Sequence, residues 1–209
     1  MGKSSSVIKA GAVLCGLVLT VGSALAKPRH PDVASLDKNS REIFLTAMRW
    51  GDESWDAQTM FLRAPQPFNV ANPSETHATN HFLVRESSWY ALGLLLRDQP
   101  GDRDRAAHIL RAVLKQQYNE PDKPWDGTFR RSPEEPEPGS NAVMWRAYDP
   151  NWREFIGTTF AVILNEYPDR LPADVDRDLL TAINNAVEGE MKQGRLQPSY
   201  TNIDRKSVV

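Results

Sequence analysis

The chain has 209 residues, with 25 Lys and Arg against 27 Asp and Glu and a formal net charge of −2. That balance excludes a general nucleic-acid binder, which needs a basic surface to displace counterions from phosphates. The one cysteine, Cys15, lies close to the N-terminus, so the remainder of the chain holds no thiolate zinc site and no cysteine nucleophile.

Residues 1–26 are expected to be a secretory signal peptide. Lys3 and Lys9 give a positive start, Ala10 to Val21 is apolar, and Ala24-Leu25-Ala26 offers small residues before a cut. The apolar run is shorter than the roughly 20 residues of a membrane span. An uncleaved anchor is the alternative. Cleavage would leave 183 residues from Lys27, with 23 basic residues against 27 acidic ones, a charge of −4 and no stable membrane span. The expected location is secreted and extracellular. Without disulfides such a chain depends on a hydrophobic core, and this length suffices to build one.

Residues 27–75 are expected to form an N-terminal leader and helices. The first helix is predicted over Leu36 to Met48, with Ile43, Phe44, Ala47 and Met48 on one face, followed by a short element around Trp55 to Arg63. Residues 76–203 carry an internal repeat. Arg85-Glu86 opens an apolar stretch with Leu96 at its twelfth place and Pro100 at its sixteenth; Arg153-Glu154 opens another, 68 residues later, with Leu164 and Pro168 at the same places. Trp89 to Leu96 and Phe155 to Leu164 are apolar almost all round, which predicts inner helices buried on both sides. Each is followed by a one-sided helix. Ala106, Ala107, Leu110, Val113 and Leu114 form one stripe; Leu179, Leu180, Ile183, Ala186 and Val187 repeat the spacing. Asp149-Pro150 predicts a capping carboxylate before a proline at the first helical position, and Pro172-Ala173-Asp174 opens the second outer helix. Between the hairpins runs a long connection, with Pro133 to Pro138 expected to be exposed and the edges at Trp125 and Trp145 docked. No alternating run long enough for a sheet occurs, so the expected class is all-α: repeated antiparallel helix hairpins, part of an (α/α) toroid.

The Arg-Glu inner helices, one-sided outer helices and aromatic-rich loops before inner helices resemble the secreted (α/α)6 toroids of six-hairpin glycosidases and polysaccharide lyases. The likeness covers about Thr76 to Asn202 and is architectural. It implies a substrate cavity lined by inner-helix ends, a polysaccharide or oligosaccharide partner, and no cofactor. Six hairpins at this period need roughly 400 residues. Pro198 to Ile203 looks like the entry to another inner helix, and residues 204–209 are expected to be an aberrant or truncated tail.

The strongest chemical constellation is Tyr148-Asp149-Pro150-Asn151-Trp152-Arg153-Glu154, joined by Trp125-Asp126-Gly127 and Tyr200-Thr201-Asn202. Carbohydrate sites place aromatic faces against sugar C–H groups and carboxylates or amides against hydroxyls. The candidate catalytic residues are Asp126, Asp149, Glu154 and Tyr148, and the candidate substrate contacts are Trp125, Asn151, Trp152, Arg153, Tyr200 and Asn202. A hydrolase would pair Asp126 with Asp149 or Glu154, and a separation of about 5 Å or about 6.5–9.5 Å would set retention or inversion. A lyase would use Arg153, Asn151 or Asn202 as neutraliser and Tyr148 or Tyr200 as base. Each residue has a plainer role. Asp149 suits a helix cap, the recurring Arg-Glu pairs suit structural ion pairs, and Asp126 suits an Asp-Gly turn. His77 and His81 have the spacing of a metal pair, but no third ligand is identifiable, so no metal is assigned. A toroid for isoprenoid substrates would need an Asp-Asp-x-x-Asp cluster, which the sequence does not contain. The competing class is a non-catalytic helical-repeat binding module.

Overall fold

The computed structural model describes residues 30–70 and 79–192. The expected signal peptide with Cys15, and His77, Tyr200, Asn202 and the tail 204–209, lie outside these residues.

The molecule is α-rich. In chain order it has α1 (Lys38–Ser54), β1 (Leu62–Phe68), β2 (Asn80–Leu83), α2 (Val84–Arg97), α3 (Asp102–Leu114), α4 (Trp152–Glu166) and α5 (Ala173–Lys192). α2 packs on α3 and α4 on α5, and the two hairpins join through α2 against α4 and α3 against α5. The core lies between them, where Leu94, Leu95, Ile109, Leu110, Ile156, Phe160, Ile163 and Leu179 are fully buried. Each such side chain contributes roughly 1.5–3 kcal/mol relative to exposure.

The first helix begins two residues later than expected and ends six later. Asp37 caps it by accepting from the N–H groups of Asn39 and Ser40 at 2.9 and 3.1 Å. It crosses α2 closely, since a Cβ on Gly51 would lie 2.4 Å from the Tyr90 ring and one on Gly93 would lie 2.5 Å from Met48 Sδ. Only part of its expected apolar face is used: Met48 is buried and Phe44 half-buried, while Ala47 is exposed and Ile43 is 71% exposed. Asp52 accepts from the Tyr90 hydroxyl at 2.6 Å and from Arg97 Nη1 at 2.6 Å, tying α1 to α2 at its C-terminal end. Arg97 holds the Asp52 carboxyl below the usual range, and burial pushes the Tyr90 hydroxyl up to about 12.

Four expectations are corrected. The chain is not purely helical, because β1 and β2 pair antiparallel with Leu62 opposite Leu83 and Phe68 opposite Asn80. Pro65 and Pro67 are tolerated because a two-stranded ribbon has free edges. Alternation is absent from the sequence because β1 fully buries only Leu62, whose N–H donates to Ser87 Oγ at 2.8 Å. Second, the inner helices are not buried all round: Trp89 on α2 is 46% exposed and Val162 on α4 is 44% exposed, since no described element covers that side. Third, α5 buries Val175, Leu179, Ala182, Ala186 and Gly189, which leaves Leu180 and Val187 exposed. Fourth, the segment from Pro133 to Pro138 is not exposed throughout. Glu135 is buried against Arg131, whose Nε donates to it at 2.8 Å.

The long connection between α3 and α4 docks backbone to backbone on α5. A Cβ on Gly127, at φ +74°, would lie 2.2 Å from the Asn185 carbonyl oxygen, and one on Gly189 would lie 2.2 Å from the Asp126 carbonyl oxygen. Gly127→Ala and Gly189→Ala should each lower the unfolding free energy by about 2 kcal/mol. Gly157→Ala meets nothing within 4 Å and should raise it by about 0.5–1 kcal/mol through helix propensity. Urea denaturation of the three variants checks the contrast.

Candidate functional site

The N-terminal ends of α2 and α4 meet the connection 115–151, and the constellation from Tyr148 to Glu154 lies here. The fold uses its members for different purposes. Asp149 accepts from the Asn151 N–H at 3.0 Å, and its carbonyl accepts from Thr128 Oγ1 at 2.6 Å. The helix itself starts at Trp152, two residues beyond Pro150, so Asp149 caps the turn before α4. Asn151 is buried at that turn and accepts through its carbonyl from Glu154 and Phe155.

Arg153 is 2% exposed and holds the connection in place. Its Nε donates to Asp126 O at 2.8 Å, Nη2 to Pro124 O at 2.9 Å and to Asp126 O at 2.6 Å, and Nη1 to Glu190 Oε2 at 2.8 Å. Asp126 is buried in the same joint. Its Oδ1 accepts from the Glu120 N–H at 2.9 Å, and its Oδ2 lies 3.6 Å from Lys192 Nζ. Trp125 and Tyr148 are buried with Tyr118 in a small second core, their rings 5.7 Å apart, and Trp125 Nε1 donates to Glu120 at 2.7 Å. Neither ring presents an open face to a sugar. His81 pairs through Nδ1 with Glu134 at 2.8 Å.

The four candidate catalytic residues therefore separate. Asp126 and Tyr148 belong to the docked connection, Asp149 stands at the inner-helix ends, and Glu154 lines the flank between α4 and α5 with Glu190. The two Arg-Glu pairs also diverge. Arg85 pairs with its neighbour Glu86 at 2.6 Å, whereas Arg153 pairs across to α5 and Glu154 stands beside the like charge of Glu190.

Sequence reasoning assigned Arg85 and Glu86 to structure and missed what surrounds them. The Arg85 guanidinium lies 4.8 Å from the Trp89 ring, 5.1 Å from Trp152 and 5.2 Å from Phe155. Such stacking is attractive because each ring face is negative. Glu86 Oε1 accepts from Arg85, while its Oε2 is buried and has no partner among the described residues. The helical spacing of Arg85 and Trp89, one turn apart, was the available signal. Burial raises the Asp149 carboxyl, opposed by the Asn151 N–H and the charges of Arg131 and Arg85. Aromatic faces, a guanidinium and carboxyls are thus gathered at one helix-end junction, an arrangement able to hold a ligand with both C–H faces and hydroxyls.

Fold and site define an α-rich domain of two packed helix hairpins with an aromatic–guanidinium cluster spanning the N-terminal parts of α2 and α4. The chain belongs to DUF8769, a domain of unknown function, whose family profile matches residues 41–205. No curated protein and no solved structure matches it.

A carboxyl raised on folding favours the protonated state of the native protein. Its stabilising contribution is present below the unfolded value near 3.8 and is lost as pH rises through the folded value. Asp149→Asn keeps an oxygen for the Asn151 N–H and removes the buried charge. The variant should be more stable than the parent at pH 7, with the difference closing near pH 3. Denaturant titrations at both pH values measure it.

Proposed function

We propose that this chain is a secreted carbohydrate-active protein of the helical-toroid type, which binds or cleaves glycosidic polymers at the ends of its inner helices. One observation carries the reading: Trp89, a large aromatic left 46% exposed on α2, has the Arg85 guanidinium 4.8 Å from its ring. An exposed indole face suits sugar C–H groups, and the guanidinium suits hydroxyl or acidic substituents. The signal-like residues 1–26 support export, and the acidic balance disfavours nucleic acid. The two packed hairpins support a toroid-type array, with α2 and α4 as its inner helices.

If cleavage occurs, Asp149 is the carboxyl best suited to act as general acid, since burial already favours its protonated form. A second reading, a binding module without catalysis, is favoured by the commitment of Asp126, Arg153 and Tyr148 to the docked connection.

Isothermal titration against a panel of neutral and acidic oligosaccharides tests the proposal. At least one class should bind with a single site per chain, and Trp89→Ala should weaken it about tenfold or more, a loss of ~1.4 kcal/mol. Unchanged affinity in Trp89→Ala, or no binding across the panel, would contradict it. Where the parent cleaves a bound polymer, Asp149→Asn should abolish turnover and leave binding within about twofold.

A further inference from the structure

α1 keeps an apolar surface that the fold does not use. Phe44, Met48 and Gly51 turn toward α2, where Gly93 and Tyr90 receive them. At about 3.6 residues per turn, Ile43, Ala47 and Trp50 form a separate stripe beside that face. Ile43 is 71% and Trp50 39% exposed, and with Asn39, Glu42 and Thr46 they line a shallow groove of about 650 Å³. Along one flank of this stripe stand Lys38, Glu42, Arg49 and Glu53, all exposed. None of the four forms an ion pair among the described residues, and Arg49 Nη2 donates to Thr46 Oγ1 at 3.1 Å.

The order of these charges selects the occupant. Lys38 and Glu53 lie equally far on either side of a point between Leu45 and Thr46, and so do Glu42 and Arg49. A two-fold axis across the helix at that point sets the flank against itself with its direction reversed. Lys38 then faces Glu53 of the second copy and Glu42 faces its Arg49, which closes both pairs twice. Ile43 and Trp50 are centred one residue further on, an offset of about 1.5 Å. Each Ile43 therefore meets the indole of the other copy, and the small Ala47 at the crossing lets the helices approach. A parallel copy would oppose Glu42 to Glu42. A partner of one charge sign would be repelled by half of the flank. A membrane surface calls for a basic excess, and this flank carries two charges of each sign. We propose that α1 is a self-association helix, pairing antiparallel with α1 of a second copy of this chain through Ile43, Ala47 and Trp50.

One helix per copy gives less than the standard interface of roughly 800 Å² a side, so dimers should form at about 10–100 µM. The test is sedimentation equilibrium of the full chain at low ionic strength, where exposed ion pairs are least screened. The mass should rise with concentration toward twice that of one chain. Glu42→Arg and Arg49→Glu should each weaken association about tenfold or more. An equimolar mixture of these two variants should restore it, because every facing pair is again of opposite sign. Ala47→Arg, at an exposed helical position, should abolish the dimer and keep a cooperative melt. A parent that stays monomeric to about 500 µM would overturn the proposal, as a chain covering this face with its own residues would do. So would an Ala47→Arg variant that still dimerises, or a mixture that stays dissociated.

Discussion

The fold depends on one buried guanidinium. Arg153 is almost fully withdrawn from water, and such a charge costs several kcal/mol unless its donors are met. Its partners are two carbonyls of the connection and a carboxylate of α5, so three separate parts of the chain must converge on it. This requirement draws residues 124–127 onto α5. The close approach is possible because Gly127 and Gly189 place no side chain between the backbones. The bridge thus converts a long irregular segment into an ordered layer across the helix ends.

The same convergence positions the side chains at the N-terminal ends of α2 and α4. Once Asp126 is docked, the chain returns through Tyr148 and Asp149 to start α4, and Trp152 enters beside Arg85. Arg131 contributes from below. Its carbonyl accepts from the Val84 N–H at 3.2 Å, and its side chain pairs with buried Glu135, which ties the start of α2 to the same connection. The aromatic–guanidinium cluster therefore rests on three elements held by ion pairs and backbone hydrogen bonds rather than by the apolar core alone. A ligand at Trp89 would meet a positioned surface and would have little conformational entropy to suppress.

Much of the helical framework was legible in the sequence. The Arg-Glu starts and the prolines after each apolar stretch marked α2 and α4, because these signals are local. What failed depended on neighbours. The same Arg-Glu letters serve an intrahelical pair at Arg85 and a cross-helix bridge at Arg153, a difference set by which helix lies opposite. The stripe from Leu179 to Val187 is wide enough for two apolar surfaces, and spacing alone did not tell the buried side from the open groove. β1 escaped notice because its ribbon is proline-rich and largely exposed. Of the candidate site residues, Asp149 and Trp152 stand at the aromatic–guanidinium cluster. Asp126, Tyr148 and Arg153 carry the architecture beneath it, since turn, cap and bridge roles use the same residue types as a catalytic site.

The central claim is that ligand contact occurs at Trp89 on the inner-helix ends. The most direct measurement is a nitrogen–proton correlation spectrum of the six tryptophan indoles, recorded while an oligosaccharide is titrated into the full chain. The account predicts that the Trp89 resonance moves most, with Trp152 following through Arg85, while Trp50, Trp55, Trp125 and Trp145 hold still. Shifts centred on Trp125 or Trp145 would place the ligand on the connection instead and contradict it, as would a spectrum that saturating ligand leaves unchanged.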